Sequence, residues 1–217
     1  MSDTAKQIAY NLLQIKAVKI NTKQPFVWAS GWNSPIYCDN RKILSYPQIR
    51  KIVYTIFAER IKEKYPDCDI IAGVATAAIA HGALVAEILG KPFVYIRSSK
   101  KAHGLENLIE GELPKNSKVV IIEDLISTGG SSLAAVDAIR KADCEVMGLF
   151  SIFSYQLDVA AKNFADAKCE LTTLCDYTTL LIEAKKCGYI DCEDAIAIDD
   201  WRKSPETWKK ENAGIQK

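Results

Sequence analysis

The sequence predicts an α/β fold: a doubly wound parallel sheet flanked by helices, with a small hood made from the N-terminal and C-terminal segments. Three observations carry this. Val119-Val120-Ile121-Ile122 is an unbroken β-branched run, the pattern of a strand buried on both faces. Strand-like runs at Ile70 to Val74, Phe93 to Ile96, Val146 to Phe153 and Glu170 to Leu174 alternate with helical patterns, as in a parallel sheet. The central run also ends in two acids and a glycine- and hydroxyl-rich turn that opens a helix, which sets a ligand site at the carboxyl edge of the sheet.

Taken in order, Thr4 to Val18 reads as an amphipathic helix with Ile8, Leu12 and Ile15 on one face. Lys19 to Pro25 reads as a connection. Phe26 to Ala29 and Ser34 to Cys38 read as short strands around a hairpin-like turn, Ser30 to Asn33. Tyr46 to Lys64 is a helix with Ile49, Ile52, Val53, Ile56 and Phe57 in one stripe. Thr76 to Leu89 is apolar nearly all round, so it should be buried. Arg97 to Asn107 is a polar loop, Leu133 to Lys141 is helical, and further helices fall at Leu157 to Ala167 and Thr178 to Lys186. Roughly the first 40 and the last 30 residues stand outside the alternation and are assigned to a cap over the carboxyl edge. Residues 1–217 are read as one domain.

Composition is that of an ordinary globular chain, 48% apolar and 25% charged. A formal net charge of +1 implies no general affinity for polyanions, so nucleic acid is not expected as a partner. No segment approaches ~18 uninterrupted apolar residues, and the polar start Ser2-Asp3-Thr4 has no hydrophobic signal core, so neither membrane nor export is expected. The seven cysteines form no C-x-x-C pair and show no zinc spacing. They are read as reduced packing residues of a cytoplasmic protein.

Val119 to Ser132 reads VVIIEDLISTGGSS. Gly129 and Gly130 allow a sharp turn and close approach of backbone to a ligand. Successive N–H groups and the start of the next helix then make a cradle for a phosphate dianion, with hydroxyls from Ser127, Thr128, Ser131 and Ser132. Glu123 and Asp124 would repel the phosphate itself, but suit a sugar diol and can support Mg2+. Neither a G-x-x-x-x-G-K-[ST] loop nor a G-x-G-x-x-G turn is present. The plainer reading is a tight strand-to-helix connection. The conjunction of buried strand, paired acids and hydroxyl-rich turn stands against it.

This stretch resembles the phosphoribosyl pyrophosphate (PRPP) signature of the type I phosphoribosyltransferases. The resemblance implies that Glu123 and Asp124 hold the ribose hydroxyls and that the turn holds the 5′-phosphate. The PRPP segment then runs through Leu125, Ile126, Ser127, Thr128, Gly129, Gly130 and Ser131. Mg2+ is implied as cofactor, carried by PRPP with the two acids nearby and with no direct protein ligand.

Two further stretches narrow the family. Arg97 to Gly104, RSSKKAHG, is a dense basic loop. Alone it reads as a solvated surface loop; beside a phosphate cradle it reads as a partner for pyrophosphate. It resembles the mobile catalytic loop of orotate phosphoribosyltransferases, which continues into N-x-I-E-G, here Asn107 to Gly111. The likeness implies catalytic and PRPP-binding roles for Arg97, Lys101 and His103, and a homodimer in which the loop closes over the neighbouring site. Ser98 stands where many relatives carry a second Lys, and Lys100 can supply that charge.

Phe26 to Arg41, FVWASGWNSPIYCDNR, resembles the F-x-x-x-S-G-x-x-S-x-x-Y-x-D-x-R segment that lines the base pocket of the same family. On that resemblance Tyr37 stacks on the orotate ring, backbone groups at Tyr37 and Cys38 read its edge, and Ser127 contacts the base. Gly73 to His81, GVATAAIAH, resembles the family's pyrophosphate loop, and His81 is read as a satisfied core histidine. The Arg that some relatives carry near Tyr155 to pair the orotate carboxylate is absent here. Ser127 and a nearby cation such as Arg41 are both candidates for that task. The implied reaction is PRPP plus orotate giving orotidine 5′-monophosphate and pyrophosphate, a step of pyrimidine synthesis. A purine phosphoribosyltransferase would share the cradle but not the FVWASGWNSPIYCDNR segment. A non-catalytic PRPP-sensing regulator would not need the basic loop.

Overall fold

A computed structural model describes residues 2–28, 31–98 and 108–209. The central sheet has six strands: β5 (Ile70–Val74), β6 (Phe93–Ile96), β7 (Ile109–Glu110), β8 (Lys118–Ile126), β9 (Glu145–Ser154) and β10 (Leu171–Asp176). Their spatial order is β10-β9-β8-β5-β6-β7. The first five in that order are mutually parallel; β7 is an antiparallel edge strand of two residues that the sequence reading placed at the end of a loop.

Val119, Val120, Ile121 and Ile122 are all fully buried, as a two-sided strand requires. Pleating sends them to opposite layers. Val119 and Ile121 pack in the layer with Val136 and Ile139 of α4 (Gly130–Lys141) and Phe164 of α5 (Asp158–Asp166). Val120 and Ile122 pack in the other layer, with Val53 and Phe57 of α2 (Pro47–Lys64), Val85 of α3 (Ala78–Leu89) and Leu180 of α6 (Tyr177–Lys186). Each such side chain contributes roughly 1.5–3 kcal/mol on burial. Helices on both faces are what the alternation predicted.

The ends of the chain divide differently from the expectation. α1 (Asp3–Gln14) lies against β10 and α6, with Ile8, Ala9 and Leu12 buried in the sheet layer, so it belongs to the sheet. The hood begins at β1 (Val18–Ile20), read from sequence as the end of the first helix and the start of a connection, which pairs antiparallel with β4 (Ile36–Cys38). β2 (Phe26–Val27) pairs with β3 (Asn33–Ser34). Ser34 to Cys38 is therefore two strands, broken at Pro35, which has no N–H to give a ladder. The helix α7 (Cys192–Lys203), which the sequence reading left unassigned, closes on this segment. Its Trp201 is fully buried and donates from Nε1 to the Asn33 carbonyl at 3.0 Å. Trp28, Tyr155 and Tyr177 surround that indole with ring centroids 5.5, 6.1 and 6.2 Å away. Asp194 of α7 accepts from the Thr22 hydroxyl at 2.7 Å.

All seven cysteines are free, five of them buried. No helix among the described residues is long and apolar enough to cross a membrane.

Candidate active site

The carboxyl ends of β8 and β9 meet the hood at one place. β8 extends beyond the expected Val119 to Ile122 run, through Glu123, Asp124 and Leu125 to Ile126. The two acids are thus strand residues. Glu123 falls on the α4 side and is only 5% exposed. Its Oε2 accepts from the buried Ser132 hydroxyl and its Oε1 from the Asp124 N–H, each at 2.9 Å. Burial, with the neighbouring Asp124 charge, pushes the Glu123 carboxyl well above the usual carboxylate range. Asp124 is half-buried on the hood side. Burial raises it too, while Arg41 pulls it down. The sequence reading turned both carboxylates toward one diol. Here the two carboxyl groups lie in hydrogen-bond contact with each other, Glu123 the more deeply buried and held by Ser132, Asp124 the more exposed.

Ser127 and Thr128 follow, half-buried, and Ile126 is fully buried, so only the Ile126 backbone can face a ligand. Gly129 has φ +83°, and a Cβ there would lie 2.8 Å from Phe164 Cε2. The left-handed turn and the close approach both require glycine. Gly130 and Ser131 open α4, exposed, with their N–H groups at the positive end of a helix whose last turn carries Arg140 and Lys141. Asn163 of α5 donates to the Thr128 carbonyl at 3.0 Å and fixes the turn from the far side. Nothing in the sequence marked Asn163, one polar residue on an amphipathic helix.

The hood reaches the same place through Cys38 and Asn40. The Cys38 N–H donates to the Tyr155 hydroxyl at 3.0 Å, so that amide is occupied and does not stand free to read a base edge, contrary to expectation. The Cys38 thiol donates to Asn40 Oδ1 at 3.1 Å, and burial raises it. Asn40, fully buried, in turn donates to the Asp124 carbonyl at 2.6 Å. Tyr155 is fully enclosed and held well above the ordinary phenol range, chiefly by burial. Tyr37 is half-buried, its ring 5.7 Å from that of Phe26. Asn40 lay unmarked between Asp39 and Arg41, both of which the motif drew attention to.

Two strands from β8, at the end of β6, Arg97 donates to Glu110 Oε1 at 3.4 Å. Strand spacing sets β6 about 10 Å from β8, the reach of an extended sugar pyrophosphate. Between them the Ala75 N–H donates to the Ile96 carbonyl at 2.7 Å, and the Ala75–Thr76 peptide is cis. Gly73 underlies this turn; a Cβ there would meet the Ala78 carbonyl at 2.9 Å. Lys100, Lys101 and His103 lie outside the described residues. His81 is fully buried as expected, but among the described residues neither of its ring nitrogens has a hydrogen-bond partner, so within them it is not the satisfied core histidine the pattern predicted. Burial and the Arg50 charge lower it to about 4.

The chain is similar to known proteins over nearly its whole length. The family described as phosphoribosyl transferase domain matches residues 39–178. The orotate phosphoribosyltransferase of Porphyromonas gingivalis is 56% identical over 208 residues, covering 96% of this chain and 99% of that protein. That of Enterococcus faecalis is 49% identical over 210 residues, covering 97% and 100%. Among solved structures, orotate phosphoribosyltransferase from Aeropyrum pernix superposes with a TM-score of 0.73 at 25% identity, over 85% of this chain and 99% of that one. Leishmania donovani UMP synthase gives a TM-score of 0.77 at 26% identity, over 92% of this chain and 42% of that one.

Proposed function

The chain belongs to the orotate phosphoribosyltransferases, and from that premise we propose that it transfers ribose 5-phosphate from PRPP to orotate, releasing pyrophosphate and forming orotidine 5′-monophosphate. The observation that carries this reading is the meeting of two segments: the turn from Asp124 to Ser131 and the hood residues Tyr37 to Asn40, joined through Asn40 and Asp124.

Each part has a task. The N–H groups at Gly130 and Ser131, with the Ser127 and Thr128 hydroxyls, bind the 5′-phosphate. Asp124 accepts from the ribose hydroxyls, and Glu123 holds the Asp124 N–H and Ser132 in place behind it. Tyr37 provides an aromatic face and Ser127 a hydroxyl for the flat base. Arg97 stands where the pyrophosphate would extend. Mg2+ bound with PRPP would supply positive charge to the leaving group. Asp124, the more exposed of two carboxyls in contact with each other, would support such an ion with Glu123 behind it.

Displacement at the anomeric carbon places positive charge on the ribose ring and negative charge on the departing pyrophosphate. The chain's work is then positioning and electrostatic stabilisation. Lys101 and His103 are assigned, with Arg97, to stabilise the charge of the leaving group, away from water that would otherwise hydrolyse PRPP. A homodimer sharing this loop, a cytoplasmic location and a single domain under the hood complete the reading.

The test is product stoichiometry. Orotidine 5′-monophosphate and pyrophosphate should appear one to one from orotate and PRPP. Lys101→Ala should lower the catalytic rate roughly a hundredfold, the loss of ~3 kcal/mol of transition-state contact. Pyrophosphate release without nucleotide, or full turnover by Lys101→Ala, would contradict the reading.

A further inference from the structure

Orotate differs from uracil by one carboxylate, and a selective pocket needs a cation for it. Ser127 brings only a hydroxyl. Arg202 has its guanidinium 3.5 Å from the Gln156 carbonyl and 5.0 Å from the centre of the Tyr177 ring. It faces a cavity of about 760 Å³ together with Trp32 and Lys203, whose lining does not include Tyr37 or Asp124.

Arg41 is placed otherwise. It follows directly on Asn40, whose side chain is fixed to the Asp124 carbonyl at 2.6 Å. Its Nε donates to Asp39 Oδ1 at 2.6 Å, which orients the planar fork, and its Nη2 lies 3.4 Å from the Tyr37 hydroxyl. A guanidinium carries five N–H donors, of which Asp39 and Tyr37 occupy two among the described residues. The remaining edge is the geometry that binds a carboxylate through two parallel hydrogen bonds. The cation therefore stands at the rim of the aromatic ring that would stack on the base. It also offsets the nearby Asp124 charge, which would repel an anionic ring.

We propose that Arg41, oriented by Asp39, is the residue that recognises the carboxylate of the base and so sets the preference for orotate over uracil. This rests on orotate being the base. It makes Asp39 a positioning residue, because it holds Arg41 without touching substrate.

The test compares orotidine 5′-monophosphate with uridine 5′-monophosphate, identical but for the carboxylate, by calorimetry on wild type, Arg41→Ala, Arg41→Lys and Arg202→Ala. Wild type should prefer orotidine 5′-monophosphate. Arg41→Ala should lose roughly 10- to 100-fold of that preference, the scale of a charged hydrogen-bond pair, while its affinity for uridine 5′-monophosphate stays within a few-fold. Arg41→Lys should restore part, and Arg202→Ala should keep the wild-type ratio. Equal loss of both nucleotides in Arg41→Ala would assign Arg41 to the ribose phosphate and overturn the proposal. So would loss of the preference in Arg202→Ala. If wild type binds uridine 5′-monophosphate as tightly as orotidine 5′-monophosphate, the orotate reading itself fails, which is a separate outcome.

Discussion

Asn40 donates its side-chain N–H to the Asp124 carbonyl at 2.6 Å, tying the hood to the acid-bearing strand across 84 positions of chain. The same amide accepts from the Cys38 thiol, which fixes its orientation. Because the pair is buried, removing one partner leaves an unsatisfied carbonyl, a cost of roughly 1–3 kcal/mol. Asn40→Ala should therefore raise KM for both PRPP and orotate, since it loosens the joint between their sites. Steady-state kinetics with each substrate varied in turn checks this. A change in one KM alone would show the two segments to be independent.

The two acids should respond unequally to neutralisation. Asp124→Asn should weaken PRPP binding roughly 10- to 100-fold by calorimetry with Mg2+ present, because the charge accepting from the diol is lost. Glu123→Gln should weaken it less. Glu123 is the more buried of the two, and an amide can accept from the Asp124 N–H while Ser132 reverses its hydroxyl. The reverse order of effects would return Glu123 to the sugar.

Gly129→Ala and Gly130→Ala form a matched pair. At Gly129 the positive φ costs about 1–2 kcal/mol for any L side chain, and the methyl must also displace Phe164. The variant should melt several degrees lower and bind PRPP more weakly. At Gly130 the nearest atom to an added Cβ is Thr128 Oγ1 at 4.0 Å, so Gly130→Ala should melt close to wild type. Thermal unfolding of both variants decides the matter.

His81 gives the fold an acid-sensitive point. Its folded value is depressed from 6.5 to about 4, so between those values the unfolded chain binds a proton that the folded chain refuses. Stability from this group is complete above pH 6.5 and is lost as pH falls toward 4, on the order of 3 kcal/mol in all. Urea unfolding at pH 7 and pH 5 should show the loss in wild type and a shallower one in His81→Leu. Equal slopes would contradict it.

The sheet was legible because β-branched runs with no polar interruption have few alternatives, and Ile70–Val74 and Phe93–Ile96 fall where the pattern placed them. The turn after β8 was legible because glycine and hydroxyl residues there have a specific conformational use. The hood was the hard part. β1 has three residues, too few for a period, and the Cys38–Tyr155 and Trp201–Asn33 hydrogen bonds join positions more than a hundred residues apart. Local propensity carries no information about such pairings. Pro35 alone announced the break between β3 and β4.

The decisive measurement is the loss of orotate absorbance on addition of PRPP and Mg2+, with adenine, hypoxanthine, xanthine and uracil offered as competing bases. Consumption of orotate alone is the predicted result, and it requires both the phosphate turn and the hood pocket to act as assigned. Consumption of a purine in place of orotate would leave the turn at Gly129 intact as a phosphate site but contradict the base pocket at Tyr37. Saturable PRPP binding without turnover of any base would contradict the catalytic reading as a whole.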